Sequence, residues 1–139
     1  MERSDIVAEE LIAAAIAARE RAYAPYSNYK VGAAILTEDG YIFTGCNVEN
    51  AVFPLTLCAE RVAITKAISE GTHAIAAVAV VTANAGPPCG SCRQVIREFS
   101  APDSPVFIAR LDGRYHEHTI EQLLPESFSA EDLQRGSAK

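Results

Sequence analysis

Residues 75–99, IAAVAVVTANAGPPCGSCRQVIREF, carry the strongest fold signal in the chain. The run Ile75–Thr82 is continuous and apolar, which predicts a strand that is buried on both faces. Loop residues follow at 84–88, and the spacing after them predicts a helix over Cys89–Phe99. A doubly buried strand that leads through a short loop into a helix is typical of an α/β domain.

The flanking sequence continues this alternation of helices and strands. Before the buried strand we predict a helix over Ser4–Ala22 and a hairpin of two strands, Val31–Thr37 and Tyr41–Cys46. A loop over Asn47–Leu57 and a second helix over Cys58–Glu70 follow. After it we predict two short strands, Pro105–Leu111 and Tyr115–Thr119. A polar tail with a few apolar anchors follows at 121–139. This order predicts a mixed sheet between helical layers. The length of 139 residues suits one domain, residues 1–139.

The charge balance limits the possible partners. The chain has 18 acidic and 12 basic residues and a net charge of −6, which argues against broad contact with nucleic acid or anionic membranes. The N-terminus is acidic where a signal peptide is basic, and no segment is apolar enough to span a membrane, so we expect a cytoplasmic protein. Four cysteines in such a chain are expected to be reduced thiols or metal ligands rather than disulfides.

Three of the four cysteines form a pattern suited to a metal. Cys89 and Cys92 have the spacing that lets two thiolates bind one tetrahedral zinc ion, and Cys58 also begins a predicted helix. The partial positive charge at helix N-termini favours thiolates. Three protein ligands predict a catalytic site with an open position, whereas a structural site has four. Cys46 is the alternative fourth ligand, although its place in a strand favours a small buried side chain.

Glu60 lies two residues after Cys58 in the same first helical turn. A carboxylate there can reach the open metal position without binding the metal, as a proton shuttle requires. The alternative is a surface residue that favours the helix dipole. We interpret His73, His116 and His118 as surface or structural residues.

Several segments together resemble the small, single-domain cytidine deaminases. The zinc signature is carried by Cys58-Ala59-Glu60 and by PCGSCRQ at 88–94. Four longer blocks extend the likeness from Tyr26 to Leu133: YSNYKVGAA at 26–34, GCNVENA at 45–51, LCAERVAITKAISEG at 57–71 and LLPESFSAEDL at 123–133. The resemblance implies a three-layer α/β/α sandwich with a five-stranded mixed sheet. It also implies hydrolysis of free cytidine and 2′-deoxycytidine to the uridines and ammonia, in pyrimidine salvage.

The resemblance further assigns the reacting groups. One Zn²⁺ per chain would be held by three cysteines, Cys58, Cys89 and Cys92, and would activate water for attack at C4 of cytosine. Glu60 would be the general acid and base, and the backbone around Ala59 would hold the intermediate. Arg61 matches an arginine that hydrogen-bonds the cysteine sulfurs and so offsets their charge. A surface ion pair is the alternative for Arg61, and Arg93 is the second candidate for its task.

Other positions match the family's nucleoside-binding residues. Asn47 and Glu49 match the pair that binds a sugar hydroxyl, although both residue types also form turns. Tyr29 stands where the family usually has phenylalanine, so its hydroxyl needs a partner. Phe128 and Phe53 match aromatic residues that enter a neighbouring subunit's site in homotetramers, and packing within the chain is the alternative for both. Pro87 departs from the usual serine or threonine and offers only its carbonyl.

Three other functions are compatible with parts of the pattern. A deaminase of a nucleoside antibiotic would share the metal chemistry. A cytosine editor of RNA or DNA would need a basic groove, which the acidic composition does not favour. A non-enzymatic protein with a structural zinc clip would use Cys46 to close the site.

Overall fold

A computed structural model describes residues 3–137. The helices and strands are, in chain order, α1 (Arg3–Arg19), β1 (Gly32–Thr37), β2 (Ile42–Cys46), α2 (Ala59–Ser69), β3 (Ile75–Val81), α3 (Gly90–Phe99), β4 (Pro105–Ala109), β5 (Tyr115–Thr119), α4 (Ile120–Leu123) and α5 (Ala130–Ser137). A single 3₁₀ turn, Phe53–Leu55, lies in the loop between β2 and α2. None of the described helices is long and apolar enough to cross a lipid bilayer.

The five strands form one mixed sheet in the order β2-β1-β3-β4-β5. Strands β3 and β4 are parallel, and the other neighbouring pairs are antiparallel. Strand β3 lies at the centre and is buried on both faces, as its continuous apolar sequence predicts.

Helices cover the sheet on both faces, and a separate apolar core fills each interface. On one face α1 packs Leu11 and Ala15 against Ala79 and Phe107 of the sheet. On the other face α2 and α3 contribute buried residues such as Ile64 and Ile96 to a core with the opposite side chains of the same strands. The prediction of a three-layer α/β/α sandwich with a five-stranded mixed sheet is therefore confirmed.

The sheet register brings three chain segments to one edge. Gly32, at the start of β1, pairs with Cys46 at the end of β2 and with Val81 at the end of β3. The residues just before β1, just after β2 and just after β3 therefore emerge side by side. These segments contain Tyr29, Asn47 and the loop that leads to Cys89.

The structure differs from the prediction at the end of the first helix and in the tail. Helix α1 ends at Arg19 rather than Ala22, because Tyr23 leaves the helix to exchange backbone hydrogen bonds with Asn47 and Glu49 at 2.9 Å each. The polar tail, to which the sequence analysis assigned no helix or strand, contains most of α4 and all of α5. Helix α4 begins with a capping box between Thr119 and Gln122, a local sequence signal that the prediction overlooked.

Candidate metal centre and active site

Cys58 and Cys89 occupy equivalent places in the fold. Each is the N-cap residue of a helix, α2 and α3 respectively, with an extended backbone. Cys92 is the third residue of α3, so it lies one turn beyond Cys89 on the same face. Three sulfur atoms therefore meet at the N-termini of two helices, where the helix dipoles favour negative charge.

The sulfur positions fit a tetrahedral zinc ion. The Sγ atoms of the three cysteines all lie within 4.8 Å of one another, with 4.0 Å between Cys58 and Cys89 and 3.4 Å between Cys89 and Cys92. A zinc–sulfur bond of ~2.3 Å places the sulfurs of a tetrahedral site about 3.8 Å apart. Among the described residues the group includes neither Cys46 nor a histidine. Three sulfur ligands from the described residues would leave one position of a tetrahedral zinc ion for water or substrate.

Arg61 brings a positive charge to this cluster. Its Nη2 atom donates to Cys58 Sγ at 3.4 Å and to the carbonyl of Thr56 at 3.3 Å. The contact with Cys58 raises the pKa of the guanidinium, which is consistent with a cation facing a thiolate. Arg93, the second candidate, points elsewhere: it donates to the carbonyls of Pro88 and Leu123, both at 2.8 Å.

The cysteine thiols do not ionise equally. A hydrogen bond with Cys92 and the nearby Arg61 outweigh burial and lower the pKa of Cys58 to about 5. The same hydrogen bond, together with burial, raises the pKa of Cys92. Cys58 is therefore the first of the two to become a thiolate, beside the arginine that stabilises it.

Glu60 is a buried carboxyl group beside the sulfur cluster, with 3% of its surface exposed. Burial, with a smaller contribution from the charge on Cys58, raises its pKa to about 7. A carboxyl group that titrates near neutrality can both take up and release a proton, as general acid–base catalysis requires.

One cavity of about 260 Å³ contains most of the predicted site residues. Its wall includes residues of the metal signature and residues that match the family's nucleoside-binding positions: Cys58, Ala59, Glu60, Cys89, Tyr29, Asn47 and Glu49. Cys92 and Arg61 lie behind this wall, where they contact Cys89 and Cys58 respectively. A concave site with a few converging polar groups is the usual form of a small-molecule pocket.

Asn47 and Glu49 are buried, each with 8% of its surface exposed, and both are held by hydrogen bonds. Asn47 accepts from the amide of Val31 at 3.0 Å and donates to the carbonyl of Tyr29 at 2.8 Å. Glu49 accepts from the hydroxyl of Ser27 and from the amides of Tyr26 and Ser27. The Ser27 hydroxyl and these amides lower the pKa of Glu49, so it is held as a carboxylate.

The hydroxyl of Tyr29 has a protein partner. It donates to Asn84 Oδ1 at 2.7 Å, in the loop between β3 and Cys89. Neither Asn84 nor Ser27 was among the predicted site residues, because both are polar residues in loops and nothing in the local sequence shows which distant side chain they meet. Pro87, which departs from the family pattern, also lines the cavity.

Phe53 and Phe128 do not line the cavity of their own chain. Their exposed fractions are 68% and 61%. The ring of Phe53 meets Tyr26 edge-on with centroids 6.0 Å apart, and the backbone carbonyl of Phe128 accepts from Gln94 at 2.8 Å. Their predicted role in a neighbouring subunit remains a prediction.

Comparison with known proteins places this site in a family. A family model described as the cytidine and deoxycytidylate deaminase zinc-binding region matches residues 6–108. The chain is 52% identical over 127 residues to a cytidine deaminase of Sporosarcina psychrophila. The aligned region covers 90% of this chain and 93% of that protein. It is 50% identical over 125 residues to a cytidine deaminase of Halalkalibacterium halodurans, with 88% and 95% covered.

A solved structure shows the same architecture. The crystal structure of cytidine deaminase from Burkholderia pseudomallei superposes with a TM-score of 0.82 at 47% identity, covering 92% of this chain and all of that one. The zinc-binding description of the family agrees with the sulfur cluster and confirms the prediction of a zinc cofactor. The chain belongs to the cytidine and deoxycytidylate deaminase family.

Proposed function

We propose that this protein hydrolyses free cytidine and 2′-deoxycytidine to uridine and 2′-deoxyuridine, with release of ammonia. The observation that carries the proposal is the composition of the cavity wall. One cavity of about 260 Å³ contains the cysteine cluster with buried Glu60 and also the Asn47–Glu49 pair. A site of that size takes a small molecule rather than a folded polymer.

Glu60 moves the protons in this reaction. A zinc ion held by Cys58, Cys89 and Cys92 would supply the Lewis acidity that makes water a nucleophile near neutral pH. The Glu60 carboxylate takes a proton as water adds to C4 of the base, and delivers it to ring N3. The proton of the hydroxyl added at C4 then passes through the same carboxyl group to the exocyclic amine, which leaves as ammonia while C4 becomes the carbonyl carbon of uracil. Burial and the raised pKa of Glu60 suit it to both steps.

Arg61 supports this chemistry from behind the cavity. Three thiolates give a zinc site net negative charge, which weakens the metal as a Lewis acid. The hydrogen bond from Arg61 to Cys58 at 3.4 Å withdraws part of that charge. The Nε atom of Arg61 is buried without a hydrogen-bond partner in the described structure, so the arginine is held in place mainly through its Nη2 contacts.

Asn47 and Glu49 are the proposed sugar-binding groups. The backbone uses one N–H of the Asn47 amide and one lone pair of its oxygen, so a second N–H is left for a ligand. Glu49 keeps acceptor capacity beyond its three bonds to Tyr26 and Ser27. A donor and an acceptor fixed in this way favour a hydroxyl group and penalise an analogue that lacks it.

The proposal includes a homotetramer whose sites are shared between subunits. Phe53 and Phe128 are large apolar residues that are mostly exposed on the single chain, so both are accessible to a neighbouring subunit. Light scattering at increasing protein concentration measures the mass of the assembly. The activities of Phe128→Ala and Phe53→Ala test whether these side chains complete a neighbouring subunit's site. Wild-type protein that is active as a monomer contradicts this part of the proposal.

The wider proposal is a single-domain cytoplasmic enzyme of pyrimidine salvage. Its net charge of −6 does not favour nucleic acid or anionic membranes as partners. A gel-shift experiment with single-stranded oligonucleotides distinguishes it from a nucleic-acid editor, since tight and salt-sensitive binding supports the editor.

The decisive experiment measures the reaction and the metal together. Purified protein is mixed with cytidine or deoxycytidine, and the loss of ultraviolet absorbance of the cytosine ring is followed beside a zinc count per chain. We expect conversion of both nucleosides at one zinc per chain, and loss of activity after the metal is removed. Metal-free protein with full activity refutes the mechanism, and zinc-loaded protein that leaves both nucleosides unchanged refutes the function.

A further inference from the structure

The hydroxyl of Tyr29 belongs to a network at the cavity wall. It donates to Asn84 Oδ1 at 2.7 Å, and the Thr82 hydroxyl donates to the same oxygen at 3.2 Å. The amide of Gly86 in turn donates to the Thr82 hydroxyl at 2.6 Å. We call Tyr29, Thr82, Asn84 and Gly86 the hydroxyl network. Its last three members lie in the segment between β3 and Cys89.

The Tyr29 hydroxyl occupies the space where a side chain at position 86 would lie. A Cβ atom added at Gly86 would overlap the Tyr29 hydroxyl oxygen, closer than the 3.0 Å that real Cβ contacts respect. The next nearest atoms, in Asn84 and Thr82, would be at ordinary distances of 3.5 and 3.6 Å. Gly86 is not among the glycines with positive φ, so its backbone does not use the left-handed conformation that favours glycine. The Tyr29 hydroxyl alone therefore excludes a side chain at position 86.

The backbone of Tyr29 is tied to the proposed sugar-binding pair. Its carbonyl accepts from Asn47 Nδ2 at 2.8 Å. Its amide donates to the Ser27 hydroxyl at 3.0 Å, and that hydroxyl is bonded to Glu49. Tyr29 is therefore bonded to the Asn47–Glu49 pair through its main chain. Through its side chain it is bonded to the segment between β3 and Cys89, residues 82–88, which we call the Cys89 loop.

We propose that Tyr29 is a positioning residue that holds the Asn47–Glu49 pair at a set distance from the Cys89 loop, and that Gly86 leaves the space its hydroxyl needs. This inference rests on the proposed function, because the distance it sets is the one a nucleoside must span. Loss of the hydroxyl frees the loop and weakens nucleoside binding. Glu60 and the cysteines are held by α2 and α3, so binding is affected more than turnover.

The first test removes the hydroxyl and keeps the ring. Tyr29→Phe is expected to raise KM for cytidine about 3- to 10-fold, since one hydrogen bond is lost, while kcat stays within about twofold of wild type. The affinity for the product uridine, measured by calorimetry, falls by a similar factor. Zinc content does not change. Tyr41→Phe is the matched control, because Tyr41 is 64% exposed and lies outside the cavity, and it is expected to behave as wild type.

The second test adds a methyl group at position 86, in the space that the Tyr29 hydroxyl occupies. Gly86→Ala in the wild-type background is expected to raise KM more than 10-fold, because the methyl group displaces the tyrosine hydroxyl. In the Tyr29→Phe background the same change is expected to raise KM by less than a further twofold. Equal effects in both backgrounds overturn the proposal, as does a Tyr29→Phe protein whose KM and uridine affinity match those of wild type.

Thermal unfolding separates this proposal from the proposed function. Gly86→Ala lowers Tm in the wild-type background, and we expect that loss to disappear when Tyr29 is phenylalanine. A wild-type protein that does not deaminate cytidine refutes the function and not the network. A Tm loss of the same size in both backgrounds refutes the network even in an active enzyme.

Discussion

Gly45→Ala tests how closely catalysis depends on the packing of α2 against β2. Gly45 lies in β2 beneath the first turns of α2, and an added Cβ atom would lie 2.5 Å from the carbonyl oxygen of Ala59 and 2.6 Å from the amide of Ala63. Both contacts are with helix backbone, which cannot rotate away. Ordinary contact begins at 3.4 Å, so the start of α2 must move by roughly 0.9 Å.

This displacement falls on the helix turn that carries Glu60. Overpacking of this kind costs about 1–3 kcal/mol of unfolding free energy, which lowers Tm by roughly 4–10 °C for a chain of this length. A misplacement of about 1 Å at reacting groups costs ~100-fold in rate. We therefore expect kcat/KM for cytidine to fall about 100-fold in folded Gly45→Ala protein with its zinc bound.

The assay compares this variant with Leu11→Ala. Leu11 is 1% exposed and lies in the core on the opposite face of the sheet, so its truncation costs about 2–5 kcal/mol without moving α2. The ultraviolet assay is run well below both Tm values, and circular dichroism verifies folding. Gly45→Ala with kcat/KM within threefold of wild type refutes the reasoning, and so does an equal loss in Leu11→Ala.

Three further predictions concern the site itself. Glu60→Gln keeps its zinc but loses turnover by several orders of magnitude, because the amide cannot carry the proton; retained turnover in the same ultraviolet assay removes Glu60 from the mechanism. Cys46→Ala keeps zinc and near-normal activity while Cys89→Ala loses the metal, as a metal count verifies; zinc loss in the first variant supports a closed structural site. Wild-type enzyme turns over 2′,3′-dideoxycytidine at least 10-fold less efficiently than cytidine, and Glu49→Ala shrinks this difference; an unchanged ratio shows that Glu49 does not bind the sugar hydroxyls.

The strand and helix predictions succeed where local sequence carries the signal. The apolar run at Ile75 becomes the central strand, and the cysteines at 58 and 89 begin their helices within one residue of prediction. The end of α1 is missed because Tyr23 pairs with the distant Asn47 loop, and such a tertiary pairing overrides helical spacing. The tail helices are missed although Thr119–Gln122 and Ser129–Asp132 are cap signals that sequence inspection can find.

Two arginines show where sequence reasoning about the site reaches its limit. Arg61 and Arg93 each follow closely on a cysteine signature, and the charge that either carries could serve the sulfurs. Only the geometry separates them, since Arg61 donates to Cys58 and Arg93 donates to two backbone carbonyls. The partner of a long side chain depends on the path of distant segments, which spacing along the chain does not encode.

The sequence by itself determined the chemistry that this chain can perform. Cysteine spacing at helix starts and a glutamate in the first helical turn are local features, because ligand type and helix periodicity are properties of neighbouring residues. The tertiary structure alone decided which groups share a cavity. Strand register places the start of β1 beside the ends of β2 and β3 and so brings Tyr29 to Asn84 across 55 residues of chain. Such contacts arise from the packing of the whole sheet and its helices.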